Sequence, residues 1–283
     1  SFACIVIEPW VVYRIALSKR LSTTMRIFSW SMRNSRKGVC GYDIDGSWYP
    51  RVTKIVEIKS KPALYKFYAD LPNFEAGEAI KNESAKEGTL IHETFEKILV
   101  GDSPAIPKEI EPAIKAAIDF LNHNHIQADP EFVEKRVFNP RHRYAGTIDT
   151  VALIDGRLGI LDIKTSQSIY RDYNLQTAAY MDALKQQIPS LETRWIMRID
   201  QVKTCRRCSS ILRGKGGREK IRSPYPRPNG WQTCNTEHDW GELTGVIELK
   251  EFPFWQDDFD AFLGAKRLWE WENNHWLKKI GYI

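Results

Sequence analysis

Two aspartates and a lysine, Asp149, Asp162 and Lys164, stand at spacings that can assemble a cation site. They flank Asp155-Gly156, a dipeptide suited to a two-residue type I′ hairpin turn. Pairing the chain about that turn sets Ile154 opposite Arg157, Leu153 opposite Leu158, Val151 opposite Ile160 and Asp149 opposite Asp162. Alternate strand residues share a face, so Asp149, Val151 and Leu153 point one way. Leu158, Ile160, Asp162 and Lys164 line the matching face. Facing Cβ atoms lie about 4.5–5.5 Å apart, and like charges so placed destabilise a strand pair. A hard divalent cation offsets that repulsion, since Mg²⁺ takes oxygen ligands from one or two carboxylates together with phosphate and water. Lys164 then adds positive charge where a phosphate arrives. The alternative is a different register with both carboxylates solvated.

Three further spaced motifs surround this ribbon: Gly88-Thr-Leu-Ile-His92 before it, Gly146-Thr-Ile-Asp149 within it and Gln176-Thr-Ala-Ala-Tyr180 after it, with Asp162-Ile-Lys164 as the fourth of the set. In this order they resemble the PD-(D/E)XK nuclease superfamily, in particular its RecB-like exonuclease branch, which carries G-x-x-x-H, G-x-x-D, (D/E)-x-K and Q-x-x-x-Y. The resemblance covers about residues 49–180 and is carried by the four motifs together. The Pro-Asp of the superfamily's name is absent, with Ile148-Asp149 in its place. The resemblance implies that His92, Asp149, Asp162 and the carbonyl of Ile163 hold Mg²⁺ or Mn²⁺. It implies that Lys164 orients the attacking water and that Gln176 and Tyr180 position Lys164 and the DNA strand.

The elements that must carry these residues follow from periodicity. Ile91, Phe95 and Ile98/Leu99 predict a helix over 78–100, stopped by Gly101, with His92 beside its apolar stripe. A second amphipathic helix is expected over 107–122, with Ile110, Ile114, Ile118 and Leu121 as core. Residues 131–139 read as a strand with Phe132, Glu134, Arg136 and Phe138 on one face. Glu134 there is either an accessory acid at the metal site or a partner for Arg136 or Arg143. A helix over 166–187 puts Gln176 and Tyr180 one turn apart, with Tyr173 on the same face. Residues 192–202 alternate as a strand whose partner is expected at 244–252. A small hairpin about Asp45-Gly46, a short helix at 62–68 and a closing helix in 254–276 complete the pattern.

Between the last two strands lies a segment of different composition. Cys205-Arg-Arg-Cys208 is a C-x-x-C knuckle, and Cys234 and His238 follow as C-x-x-x-H. Three thiolates and an imidazole are a common tetrahedral set for structural Zn²⁺. Zinc would fold a loop too polar to fold alone. Some RecB-like nucleases instead hold a four-iron cluster, for which Cys40, Cys205, Cys208 and Cys234 supply the count. Residues 203–227 hold nine Lys and Arg against one acid, Glu219. Lys203, Arg206, Arg207, Arg213, Lys215, Arg218, Lys220 and Arg222 are therefore expected to clamp a phosphate backbone, where charge matters more than shape. Tyr225, Trp231 and Trp240 are placed to stack on unpaired bases.

With 283 residues and 42% hydrophobic content the chain can bury a sizeable core, and no apolar run reaches the length of a membrane span. A net charge of +5 is compatible with a polyanionic partner. Five cysteines without a secretion signal point to a reducing, intracellular (cytoplasmic) setting. The expected organisation is an extension or disordered segment over 1–40, a nuclease core over 41–202, a Cys/His basic insertion over 203–242, and a final strand and helix over 243–283. The expected fold is α/β, a restriction-endonuclease-like core of a mixed sheet flanked by helices, with a zinc-ribbon-like insertion. Resemblance implies a DNA exonuclease, with single-stranded DNA or duplex ends as the expected partner; intracellular phage-type or bacterial DNA processing fits that expectation. An endonuclease of the same fold, or a non-catalytic zinc-dependent nucleic-acid-binding protein, are the alternatives.

Overall fold

A computed structural model describes residues 36–283 other than Pro226, Pro228, Asn235 and Thr236. Most of the segment expected as an extension, 1–35, thus lies outside the described residues. Residues 36–40 belong to the body instead: Cys40 is buried, Arg51 N–H donates to its carbonyl (2.8 Å), and Trp48 Nε1 donates to the Lys37 carbonyl (3.1 Å). Among the described residues no helix is long and apolar enough to cross a membrane.

The described residues begin with a helical stretch at 36–40, followed by a hairpin, β1 (Gly41–Ile44) and β2 (Ser47–Pro50), turning at Asp45-Gly46, both at positive φ. Helices α1 (Val52–Val56), α2 (Pro62–Ala69) and α3 (Phe74–Leu99) follow. Helix α3 starts four residues earlier than its apolar spacing predicts. Asn73 caps it there, accepting from Ala76 N–H (2.8 Å), and satisfies a donor that a helix start leaves open. Helix α4 (Glu111–His123) begins later than expected, with residues 107–110 in turns.

The main sheet contains β3 (Gln127–Ala128), β6 (Thr150–Ile154), β7 (Arg157–Lys164), β8 (Thr193–Cys205), β9 (Ile211–Lys215), β10 (Arg218–Arg222) and β11 (Trp240–Glu251). Its order is β10-β9-β8-β7-β6-β3, with β11 also on β8. Strands β7 and β8 run parallel and the other pairs antiparallel, so the sheet is mixed. A separate ribbon pairs β4 (Arg136–Asn139) with β5 (Tyr144–Thr147). Helices α5 (Asp172–Lys185), α6 (Gln256–Glu272) and α7 (Asn274–Lys279) complete the chain.

Strand alternation sorts the core into two layers. Val151 and Ile160 face α1, α5 and α6, where Tyr180, Phe262 and Trp269 are buried. Ala152, Leu161 and Ile163 face α3 and α4, against Ile91, Phe95 and Ile114. Arg194, wholly buried in β8, ties the first layer together. It donates to the carbonyls of Asn174 (2.8 Å), Phe252 (3.0 Å) and Phe254 (3.0 Å), and pairs with Asp258 (2.7 Å). A buried charge is tolerated only when so fully bonded.

Strand β8 has two neighbours in succession along one edge. Strand β7 pairs with it from Thr193 to Arg198, and β9 takes over at Lys203 and Thr204. Strand β11 covers the other edge from Trp195 to Cys205. The expected boundary between core and insertion at 202/203 therefore falls inside one continuous strand.

Candidate metal centre and nucleic-acid interface

The hairpin register read from Asp155-Gly156 is the one found, from Ile154↔Arg157 to Val151↔Ile160, with both turn residues at positive φ. The ladder stops at Thr150↔Leu161, one pair before the aspartates. The expected single strand through Asp149 is broken at Ile148-Asp149, where the chain bends from β5 into β6. Freed from the ladder, the Asp149 carboxylate swings onto the backbone and accepts the Ile163 N–H (2.5 Å).

Ile163 is held at its carbonyl as well. His92 Nε2 bonds that oxygen (2.8 Å) and lies 3.9 Å from Asp149 Oδ2, while His92 Nδ1 bonds Glu96 (2.9 Å), one helical turn on. The buried stripe of Ile91, Phe95 and Leu99 fixes α3 so that His92 sits at the rim of the core. On the opposite layer, Gln176 Nε2 reaches Asp162 Oδ1 (3.2 Å) and Tyr180 Oη (3.2 Å). Lys164 Nζ is 2.6 Å from Asp162 Oδ2 and 5.2 Å from the Tyr173 ring centre. The buried Oδ2 has that ion pair as its polar contact. His92, Asp149 and Gln176 thus bond the last three residues of β7, which include Asp162 and Lys164, and Tyr180 joins them through Gln176.

The set able to share one ion differs from the expected one. His92, Glu134 and Asp149 bring ligand atoms within 4.8 Å of one another; Asp162 is engaged by Lys164 and Gln176 instead. Glu134 does not lie on a strand face as its spacing predicts. Pro130–Phe132 forms a 3₁₀ turn and Glu134 adopts φ +51°, with its N–H on the Asp149 carbonyl (3.0 Å). It pairs with neither Arg136 nor Arg143. The first lies over the Tyr42 ring, and the second over Tyr282, donating to that residue's carbonyl (2.7 Å).

Crowding of acids shifts their titration. Burial and the Glu96 charge push Glu134 up to about 7. Burial raises Asp162 to about 6, the Asp149 charge adding to it while Lys164 opposes. Burial works against a charged His92, but the Glu96 hydrogen bond and the Asp149 charge outweigh it and hold the imidazole near 9. In its charged form His92 donates Nδ1–H to Glu96 and Nε2–H to the Ile163 carbonyl. His92, Glu134 and Asp149 together form a group that could hold a metal ion.

No family model and no curated protein matches this chain.

Two motif glycines are explained by close approach alone. A Cβ on Gly146 would meet Tyr180 Cε1 at 2.4 Å, and one on Gly88 would meet Thr165 Oγ1 at 2.7 Å. Neither glycine supplies a functional group; each lets two site-bearing elements touch.

At the far end of β8, Cys205, Cys208, Cys234 and His238 bring ligand atoms within 4.8 Å of one another, a group that could hold a zinc ion. Cys208 Sγ lies 3.3 Å from His238 Nδ1, and Cys205 Sγ 3.8 Å from Cys234 Sγ. Desolvation and the neighbouring thiols push Cys234 up to about 11. Desolvation also acts on Cys205, but backbone N–H groups of Cys208 and Arg207 bring it down to about 7. Cys40 is buried instead in the layer around Trp48, so the iron–sulfur combination is not assembled. Trp231 donates to the Cys208 carbonyl (2.6 Å) and Trp240 stacks on His238 (4.5 Å between ring centres). Both serve the knuckle rather than standing free for bases; Tyr225 is exposed.

The expected basic clamp divides in two. Lys203, Arg206, Arg207, Arg218, Lys220 and Arg222 are exposed. Arg213 and Lys215 are turned inward. Arg213 Nε grips Asp200 (2.6 Å), and Lys215 Nζ donates to the Thr165 carbonyl (2.6 Å). Arg218 lies over the Phe67 ring of α2 and Arg222 donates to Gln167 (2.5 Å), so β10 runs between α2 and the loop after Lys164.

Sequence reasoning left Glu134 between two roles and missed Arg194 and the Thr165 contacts. Glu134 carries no sequence signal for its positive φ. Arg194 was one arginine among alternating strand residues.

Proposed function

We propose that this chain is a metal-dependent DNA exonuclease of the PD-(D/E)XK type, RecB-like, with a restriction-endonuclease-like core and a structural zinc ion in its insertion. One observation carries the proposal: side chains from four separated motifs meet within hydrogen-bonding reach around Asp162, Ile163 and Lys164. His92, Asp149, Glu134 and the Ile163 carbonyl are the groups that would hold Mg²⁺ or Mn²⁺. Bound there, the ion supplies a water of lowered pKa and neutralises charge on the phosphoryl oxygens. Lys164 presents its ammonium beside Asp162, where it meets the scissile phosphate and stabilises developing negative charge. Gln176, bonded to both Asp162 and Tyr180, keeps the Asp162–Lys164 pair in one orientation. The exposed cations of β10 and the knuckle hold the DNA backbone.

End-labelled linear and circular DNA incubated with Mg²⁺, Mn²⁺ or EDTA tests this. Linear DNA should be shortened from its ends only when a divalent ion is present. Cutting of circular single strands would make it an endonuclease, and binding with no cleavage under any ion would make it a silent binding fold. Lys164→Ala should lower kcat by about 10²–10³-fold with DNA affinity retained, and Asp162→Ala should do the same.

A further inference from the structure

Lys215 and Arg213 come from the basic insertion, yet neither faces solvent as a backbone clamp must. Both point at one atom, the carbonyl oxygen of Thr165, from 2.6 Å and 3.3 Å. Thr165 directly follows Lys164. The β7–β8 ladder ends at Lys164↔Arg198, so the Thr165 carbonyl lies just beyond the last backbone pair. Strand β9 occupies the same edge of β8 further along and delivers the two cations to that spot.

The surroundings leave the loop little room. On one side Gly88 of α3 approaches Thr165 so closely that a Cβ would meet Oγ1 at 2.7 Å and Lys215 Nζ at 3.9 Å. At the tip of the hairpin, Gly216 (φ +62°) rests on α3, where a Cβ would meet Ser84 Oγ at 2.2 Å and the Ile80 carbonyl at 2.4 Å. Arg213 is itself fixed by Asp200, which Arg198 also grips (2.9 Å), and Arg198 reaches Glu248 (2.8 Å). At its base the hairpin springs from the cysteine knuckle, where Cys205 N–H bonds the Ser210 carbonyl (2.8 Å). The insertion is therefore docked at both ends, with its two inward cations aimed at the residue behind Lys164.

We propose that Lys215 and Arg213 are positioning residues that brace the loop behind Lys164, so that the Cys/His insertion completes the candidate active site as well as contacting nucleic acid. A hydrogen bond from a charged donor is stronger than a neutral one and short enough to set a backbone position. Small displacements of a reacting group are costly in rate, so the brace acts on turnover and not on affinity.

The test uses the full chain with Lys215→Met, which keeps the stem and removes the donor, and Lys215→Arg, which restores one. Half of it rests on the nuclease reading. Under that reading Lys215→Met should lower kcat about ten- to hundredfold with KM for DNA unchanged, and Lys215→Arg should recover most of the loss. The other half is independent of activity. Amide hydrogen exchange over residues 163–168 should be about tenfold or more faster in Lys215→Met, as expected for losing one charge-assisted hydrogen bond. A raised KM with kcat and exchange both unchanged would make Lys215 a DNA contact and overturn the brace. Wild-type protein that cleaves nothing would sink the nuclease reading while the exchange comparison still decides the brace; unchanged exchange would overturn it.

Discussion

At the residue scale, the protons on His92, Glu134 and Asp162 link the site to pH. All three hold a proton more tightly folded than unfolded, near 9, 7 and 6. A raised pKa means the stabilising contribution is complete below the group's ordinary value and is lost as pH rises through the folded one. The carboxyls lose theirs as pH climbs through about 6 to 7 and His92 as it climbs through about 9. Glu96, whose pKa the His92 hydrogen bond lowers, acts in the opposite sense. A divalent ion held by His92 and Glu134 would replace their protons, so its benefit should grow as they leave. The melting-temperature gain from Mn²⁺ is therefore expected to increase from about pH 6 to about pH 9; a gain independent of pH would show that the ion binds elsewhere. Glu134→Gln removes one of the two carboxylates in the His92, Glu134 and Asp149 group and should weaken Mn²⁺ binding in the same titration. Gly146→Ala should cost about 1–3 kcal/mol in a denaturant titration, because its methyl meets the Tyr180 ring. The aspartates, Lys164, His92, Gln176 and Tyr180 were legible because each sits in a spaced motif, all but Asp149 on a regular element. Glu134 was not, because its place depends on a backbone bend that no periodicity announces.

At the element scale, the sequence marks what repeats and hides what terminates. The Asp155-Gly156 turn set the ribbon register, and alternation revealed the pairing of β8 with β11. The break at Ile148-Asp149 went unseen, since nothing in Tyr144–Ile154 interrupts a strand pattern; tertiary pairing of β5 with β4 causes it. The C-x-x-C and C-x-x-x-H spacing was readable because tetrahedral ligation demands it. The inward turn of Arg213 and Lys215 was not, because charge counts do not say which way a hairpin faces. Metal analysis of the purified protein should find one zinc per chain, and Cys208→Ser should lose it. The same variant should lower the melting temperature, since the knuckle ties the ends of β8, β9 and β11 together.

At the scale of the whole molecule, α3 and α4 cover one face of a mixed sheet and α1, α5 and α6 the other, and the site opens where β7 ends. On one side of that opening stands a strand whose exposed cations, Arg218, Lys220 and Arg222, alternate along a single face. Replacing Lys220 by Met should reduce the slope of log affinity against log salt by about 1, measured by fluorescence anisotropy with labelled DNA. An unchanged slope would remove β10 from the interface.

The succession of β7 and β9 along β8 makes the cysteine-bearing excursion part of the scaffold. Shortening the chain by joining Cys205 to Trp240 would remove β9 and bare the backbone donors and acceptors of Lys203 and Thr204 that it pairs. Such an uncovered strand margin recruits another chain. A protein trimmed in that way should appear by light scattering as soluble multimers or precipitate, and not as a smaller monomer with a milder grip on its ligand.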